Sequence, residues 1–97
     1  MHIQDYQFYK KLTQHPSVKE IWLFGSRARG DNQERADIDL ALFCPNASEK
    51  EWLDILNIID DADTLLKIDT VRLDQLSETS PLKKSISQQG KKIYEKL

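Results

Sequence analysis

The segment Asp37 to Phe43, DIDLALF, alternates with a two-residue period. Ile38, Leu40 and Leu42 share one face, while Asp37, Asp39 and Ala41 share the other. A strand is the backbone form that separates the two sets, so the pattern predicts a half-buried strand carrying two acids on one side. The side-chain repeat along a strand face is about 7 Å, so two carboxylates so placed repel each other unless something cationic lies between them. An exposed strand edge would be the plain explanation of such a pair taken alone.

Glycine and proline are scarce, three of each, and they divide the rest of the chain. Tyr6, Phe8, Tyr9 and Leu12 give a helical stripe over Asp5 to Gln14 that Pro16 ends. Val18 to Phe24 is nearly continuously apolar up to Gly25 and reads as a strand covered on both faces. Ser48 and Glu51 have capping-box spacing at the head of a helix running to about Ala62. Lys67 to Leu73, KIDTVRL, reads as a third strand with Asp69 and Val71 on one face. Ser80 and Pro81 open a last helix that Gly90 closes, and Lys92 to Glu95 suggests a short final strand. Helices and strands interleave, which predicts an α/β (α+β) fold with a small mixed sheet covered by helices.

With 97 residues, 39% hydrophobic and 31% charged, one globular domain spanning residues 1–97 is expected, and a partner subunit or homodimer would add stability. The formal charge is −2 and the basic residues are dispersed, so no electrostatic footprint for direct DNA binding is present. Cys44 is the only cysteine, which excludes an intrachain disulfide and reads as a small semi-buried side chain. Neither a secretory leader nor a membrane-length apolar run is visible, so a soluble cytoplasmic protein is expected.

Gly25-Ser26-Arg27-Ala28-Arg29-Gly30 lies between the first two strands, and ten residues separate Ser26 from Asp37. Gly25 allows the chain to leave the strand sharply and a phosphate to approach the backbone, the following amides supply partial positive charge, and Ser26 adds a hydroxyl donor. Arg27 and Arg29 bring charge near the same anion, and their spacing points one of them to solvent. Alone, such a turn is an ordinary solvated loop. Next to two aspartates it makes a setting for Mg²⁺, which takes few carboxylates and keeps its remaining places for water and substrate phosphate. Asp69, on a neighbouring strand, is the candidate third carboxylate. An EF-hand loop fails at Ala41 and Leu42, and a Walker A loop fails because Gly30 is followed by Asp31-Asn32.

GSRARG followed by ADIDLAL resembles the minimal nucleotidyltransferase family of the DNA polymerase β superfamily, and the likeness covers most of the chain. The resemblance implies a polymerase β-like core. Gly25 and Ser26 would hold the β- and γ-phosphates of a nucleoside triphosphate, with Arg29 as a further contact. Asp37 and Asp39 would hold two Mg²⁺ ions, and Asp69 the metal that activates the acceptor hydroxyl. It further implies ATP as substrate and transfer of AMP to a tyrosine of a HEPN-type toxin partner, with this chain as the antitoxin. Two departures stand out: Ala36 replaces a serine common in relatives, and the further domain with which larger relatives hold base or acceptor is not expected within these 97 residues. A non-catalytic module that neutralises its partner by contact is the second reading. Transfer to a small molecule such as an aminoglycoside is the third, weakened because such a ligand usually needs a second wall.

Among the remaining features, His2 and His15 have no partner at metal spacing and are expected to be solvated or capping. Asp60, Asp61 and Asp63 read as a solvated run at a helix end. The apolar arc of the third helix, Trp52 to Ile59, is wide enough either to pack wholly on the sheet or to meet another chain in part.

Overall fold

The computed structural model describes residues 2–31 and 35–97. It contains four strands, β1 (Glu20–Phe24), β2 (Ile38–Phe43), β3 (Ile68–Arg72) and β4 (Lys91–Glu95), in the order β3-β2-β1-β4. β1 runs antiparallel to both β2 and β4, whereas β3 lies parallel to β2. The α-helices are α1 (Gln7–Gln14), α2 (Ser26–Arg29), α3 (Glu49–Asp60) and α4 (Pro81–Gln89). A parallel pair needs a crossover, and α3 supplies it between β2 and β3. The α/β (α+β) mixed sheet expected from the sequence is the one observed.

Ile38, Leu40 and Leu42 are buried, as the alternation predicts, and they meet Phe8 and Leu12 of α1 and Ile55 and Ile59 of α3 in one core. β2 is more covered than the sequence suggested, because Ala41 on the acid face is also fully buried. β2 sits inside the sheet, and α4 approaches β1 with Ile86 buried.

The third helix starts where the capping box places it. Ser48 Oγ accepts the Glu51 amide at 3.1 Å, and Glu51 Oε1 accepts the Ser48 amide at 3.1 Å. Ser17 Oγ donates to the other Glu51 oxygen, tying the cap to the loop before β1. The wide apolar arc is not wholly packed: Ile55 and Ile59 are buried, but Leu53 remains 59% exposed.

Three expectations are corrected. The first helical segment is broken, with a 3-10 turn at Ile3–Asp5 and α1 beginning only at Gln7. β1 begins at Glu20, and of its five residues only Ile21 is fully buried. Val18 is buried as part of the preceding loop. Gly90 closes α4 as expected, in an extended conformation (φ −74°), and a side chain is unwelcome there because a Cβ would strike the Ile86 carbonyl. Asp63 is not merely solvated: its carboxylate accepts the amides of Gln7 at 3.0 Å and Phe8 at 3.1 Å. It thereby caps α1 from a distant loop. These amide hydrogen bonds, that from Gln7 foremost, hold the Asp63 carboxyl below the usual carboxylate range.

His15 plays the local role expected, its Nδ1 accepting the Ser17 amide at 3.1 Å. Cys44 is fully buried, and desolvation pushes its thiol up to about 12. Beside it lies a closed polar knot. Arg72 Nε meets Asp74 at 3.0 Å, its Nη2 donates to the carbonyls of Cys44 (3.1 Å) and Ala47 (2.9 Å), and the guanidinium lies 5.4 Å from the Trp52 ring centre. Among the described residues no helix is long and apolar enough to cross a membrane.

Candidate active site

At the end of β1 the chain enters Gly25 with φ 72° and ψ −153°, a region that only glycine occupies without strain. α2 follows directly, its ladder opening with the Ala28 and Arg29 amides on the Gly25 carbonyl at 3.1 and 3.2 Å. Gly30, left-handed at φ 80°, ends it after one turn. The amides of a first helical turn precede the helix's own ladder and point outward along its axis.

β2 brings the acids to this turn. Asp39 lies opposite Phe24, the residue before Gly25, on one side and in register with Asp69 of β3 on the other. Residues in register on neighbouring strands, about 4.8 Å apart, show their side chains on the same face. Asp39 therefore stands between the glycine turn and Asp69. Its carboxylate packs against Gly25 so closely that a Cβ there would overlap Oδ2 and lie 3.2 Å from Cγ. Asp37 is exposed just before the strand begins.

The electrostatics match this placement. Burial, then Asp69, then Asp37 raise the Asp39 carboxyl above its usual range, while Arg27 and Arg29 work in the other direction. Asp69 is half-exposed and leans towards Lys67, with Nζ 3.6 Å from Oδ1, a solvated contact of little strength. Among the described residues no group of three His, Cys, Asp or Glu side chains already stands at metal-holding geometry. A cleft of about 620 Å³ adjoins Asp37, lined by Arg35, Thr64, Leu65, Leu66 and Lys67.

The two arginines divide as their spacing suggested. Arg29 pairs with Asp31 at 3.2 Å in an exposed position. Arg27 turns towards the acid strand, its Nη2 donating to the Ala36 carbonyl at 2.8 Å and its Nε to that of Asp37 at 3.3 Å. Sequence reasoning did not single out Arg27. The one available signal was that two arginines at this spacing on a single helical turn must diverge.

A mixed sheet with a one-turn helix after a glycine, set against an Asp-x-Asp strand and a third acid in register, defines the catalytic-core architecture of a nucleotidyltransferase. The family model described as "Polymerase beta, Nucleotidyltransferase" matches residues 7–97, and the chain belongs to that family. Among solved structures, a toxin–antitoxin with AMP-PNP superposes with a TM-score of 0.62 at 23% identity, covering 92% of this chain and 72% of that one. A variant of the toxin–antitoxin MntA-HpeT gives 0.60 at 22% identity, covering 91% and 71%. A candidate nucleotidyltransferase from Sulfolobus solfataricus gives 0.57 at 18% identity, covering 92% and 75%. At these identities the likeness establishes the fold. No curated protein sequence matches the chain.

Proposed function

We propose that this chain transfers a nucleoside monophosphate, AMP from ATP, onto a hydroxyl of a protein partner, a tyrosine of a HEPN-type toxin, and acts as the antitoxin of the pair. The observation that carries the reading is the alignment of Asp39 between the Gly25 turn and Asp69. The family supports nucleotidyl transfer, and structural neighbours described as toxin–antitoxin complexes, one of them with AMP-PNP, support the partner and the nucleotide.

The donor set suits a hard divalent cation. Asp39 and Asp69 stand in register with Asp37 two residues before Asp39, and burial, then Asp69, then Asp37 raise the Asp39 carboxyl above its usual range. Asp37 and Asp39 would hold two Mg²⁺ ions, with Asp69 completing the set on the acceptor side. Bound there, Mg²⁺ supplies charge neutralisation for the triphosphate and lowers the pKa of the acceptor hydroxyl. The chain's own groups do the positioning. The Gly25 turn and the Ser26 hydroxyl cradle the β- and γ-phosphates, and Arg29, on leaving Asp31, adds a cation to the triphosphate. With phosphates over the β1 turn, the acceptor enters from the β3 side, in line with the leaving pyrophosphate.

Incubating the purified chain with α-labelled ATP, Mg²⁺ and the product of the neighbouring gene tests the proposal. Label on that product supports it. Inhibition of the product without label would favour a binding module, and neither effect would direct the search to a small-molecule acceptor.

A further inference from the structure

The β1–β2 ladder ends at Phe24 opposite Asp39, because the chain turns away at Gly25. The carbonyls of Ala36 and Asp37 therefore lie beyond the last residue that β1 can pair. They are not abandoned. The Arg27 guanidinium reaches back from the second position of α2 and donates to both, Nη2 to Ala36 at 2.8 Å and Nε to Asp37 at 3.3 Å. On the other side of the same segment, the Ile38 amide donates to the Lys67 carbonyl at 2.9 Å, where β2 joins β3. The backbone carrying Asp37 is thus held from both flanks, by a strand on one and by a side chain on the other.

We propose that Arg27 is a positioning residue that continues the sheet ladder where β1 has turned away, fixing Asp37 and Asp39 relative to the Gly25–Ser26 turn. The inference rests on the reading that these acids hold a divalent ion beside a nucleotide. Arg27 follows Ser26 directly, so one side chain joins the phosphate turn to the acid strand and the two move together. The planar fork matters as well as the charge, because two different peptide carbonyls must be met at once, which a lysine ammonium on a flexible stem does poorly.

Calorimetric titration with AMP-PNP, without divalent ion and then with Mn²⁺, separates this role from simpler ones. Outer-shell partners of metal ligands typically contribute 10- to 100-fold in metal affinity. Arg27→Lys, which keeps the charge, is expected to lose about 10-fold of the Mn²⁺-dependent gain in AMP-PNP affinity, and Arg27→Ala at least as much. Metal-free affinity of Arg27→Lys should stay within about twofold of wild type, with an unchanged melting temperature. A full Mn²⁺-dependent gain in Arg27→Lys would overturn the inference by showing that charge alone suffices. A parallel fall in metal-free affinity and melting temperature would also overturn it, by showing a general scaffold role. Asp39→Asn serves as the control: if it kept the Mn²⁺-dependent gain, the reading of the acids would fail, whereas a failure confined to Arg27→Lys removes this inference alone.

Discussion

The Asp39 carboxylate covers the Cα of Gly25, and no side chain fits between them. The turn proposed to cradle phosphate and the carboxylate proposed to hold a metal are thereby held in close contact by the absence of one methyl group. The glycine conformation, φ 72° and ψ −153°, adds a second reason why nothing larger is tolerated.

Gly25→Ala should therefore damage both the fold and the site. Backbone strain alone costs roughly 1–3 kcal/mol, and displacement of Asp39 should lower nucleotidyl transfer by about 100-fold or more. Urea denaturation and a labelled-ATP assay on the same preparation measure the two effects.

The Arg72–Asp74 pair is the tightest ionic contact in the described residues by burial, each side chain being only 10% exposed. Arg72 also satisfies two carbonyls and stacks on Trp52. Removing one partner of a buried pair strands the other, so Arg72→Ala should cost about 3–5 kcal/mol. Arg72→Lys should recover only part of that, since one ammonium cannot meet all three acceptors. Denaturant midpoints of the two variants provide the comparison.

Asp63 links α1 to the loop before β3. Its carboxyl is held below its ordinary value of 3.8, so its stabilisation is complete above that value and is lost as pH falls through the folded one. Asp63→Ala should melt lower than wild type at pH 7, and the gap should close as the pH is taken well below 3.8. Paired melting curves from neutral to acid pH decide this, and a gap that persists unchanged in acid would argue against the cap.

With the Cys44 thiol pushed up to about 12 and fully buried, thiolate is scarce at neutral pH. Ellman's reagent at pH 8 should leave the native chain almost unmodified and react with one thiol per chain once it is unfolded. Fast native labelling would contradict the burial.

The parts of this architecture that the sequence disclosed are those written in short-range patterns. DIDLALF shows its strand because alternation spans only a few residues, and α3 announces itself through Ser48 and Glu51, both within one turn. The acid pair and the glycine turn were legible for the same reason. Asp63 was not, because its partners are backbone amides of Gln7 and Phe8, which leave no trace in residue identity and lie more than fifty positions away. Nor could spacing decide which arginine faces the acids, since that depends on the direction in which α2 leaves Gly25. Gly90 was legible as the end of α4, whereas the reason for a glycine there, the Ile86 carbonyl, was not.

The proposed role of Asp37 and Asp39 is to act through a bound divalent ion. The most direct measurement is transfer of label from α-labelled ATP to the proposed protein partner by Asp37→Asn and Asp39→Asn, with melting temperatures taken on the same samples. Removing a charge from a mutually repelling group relieves the protein without metal, so both variants should melt no lower than wild type. Transfer should nevertheless fall by roughly 1,000-fold or more, as when a preorganised electrostatic element is removed from a reaction centre. Folded variants that still label the partner at the wild-type rate would show that these carboxylates are not the seat of the reaction.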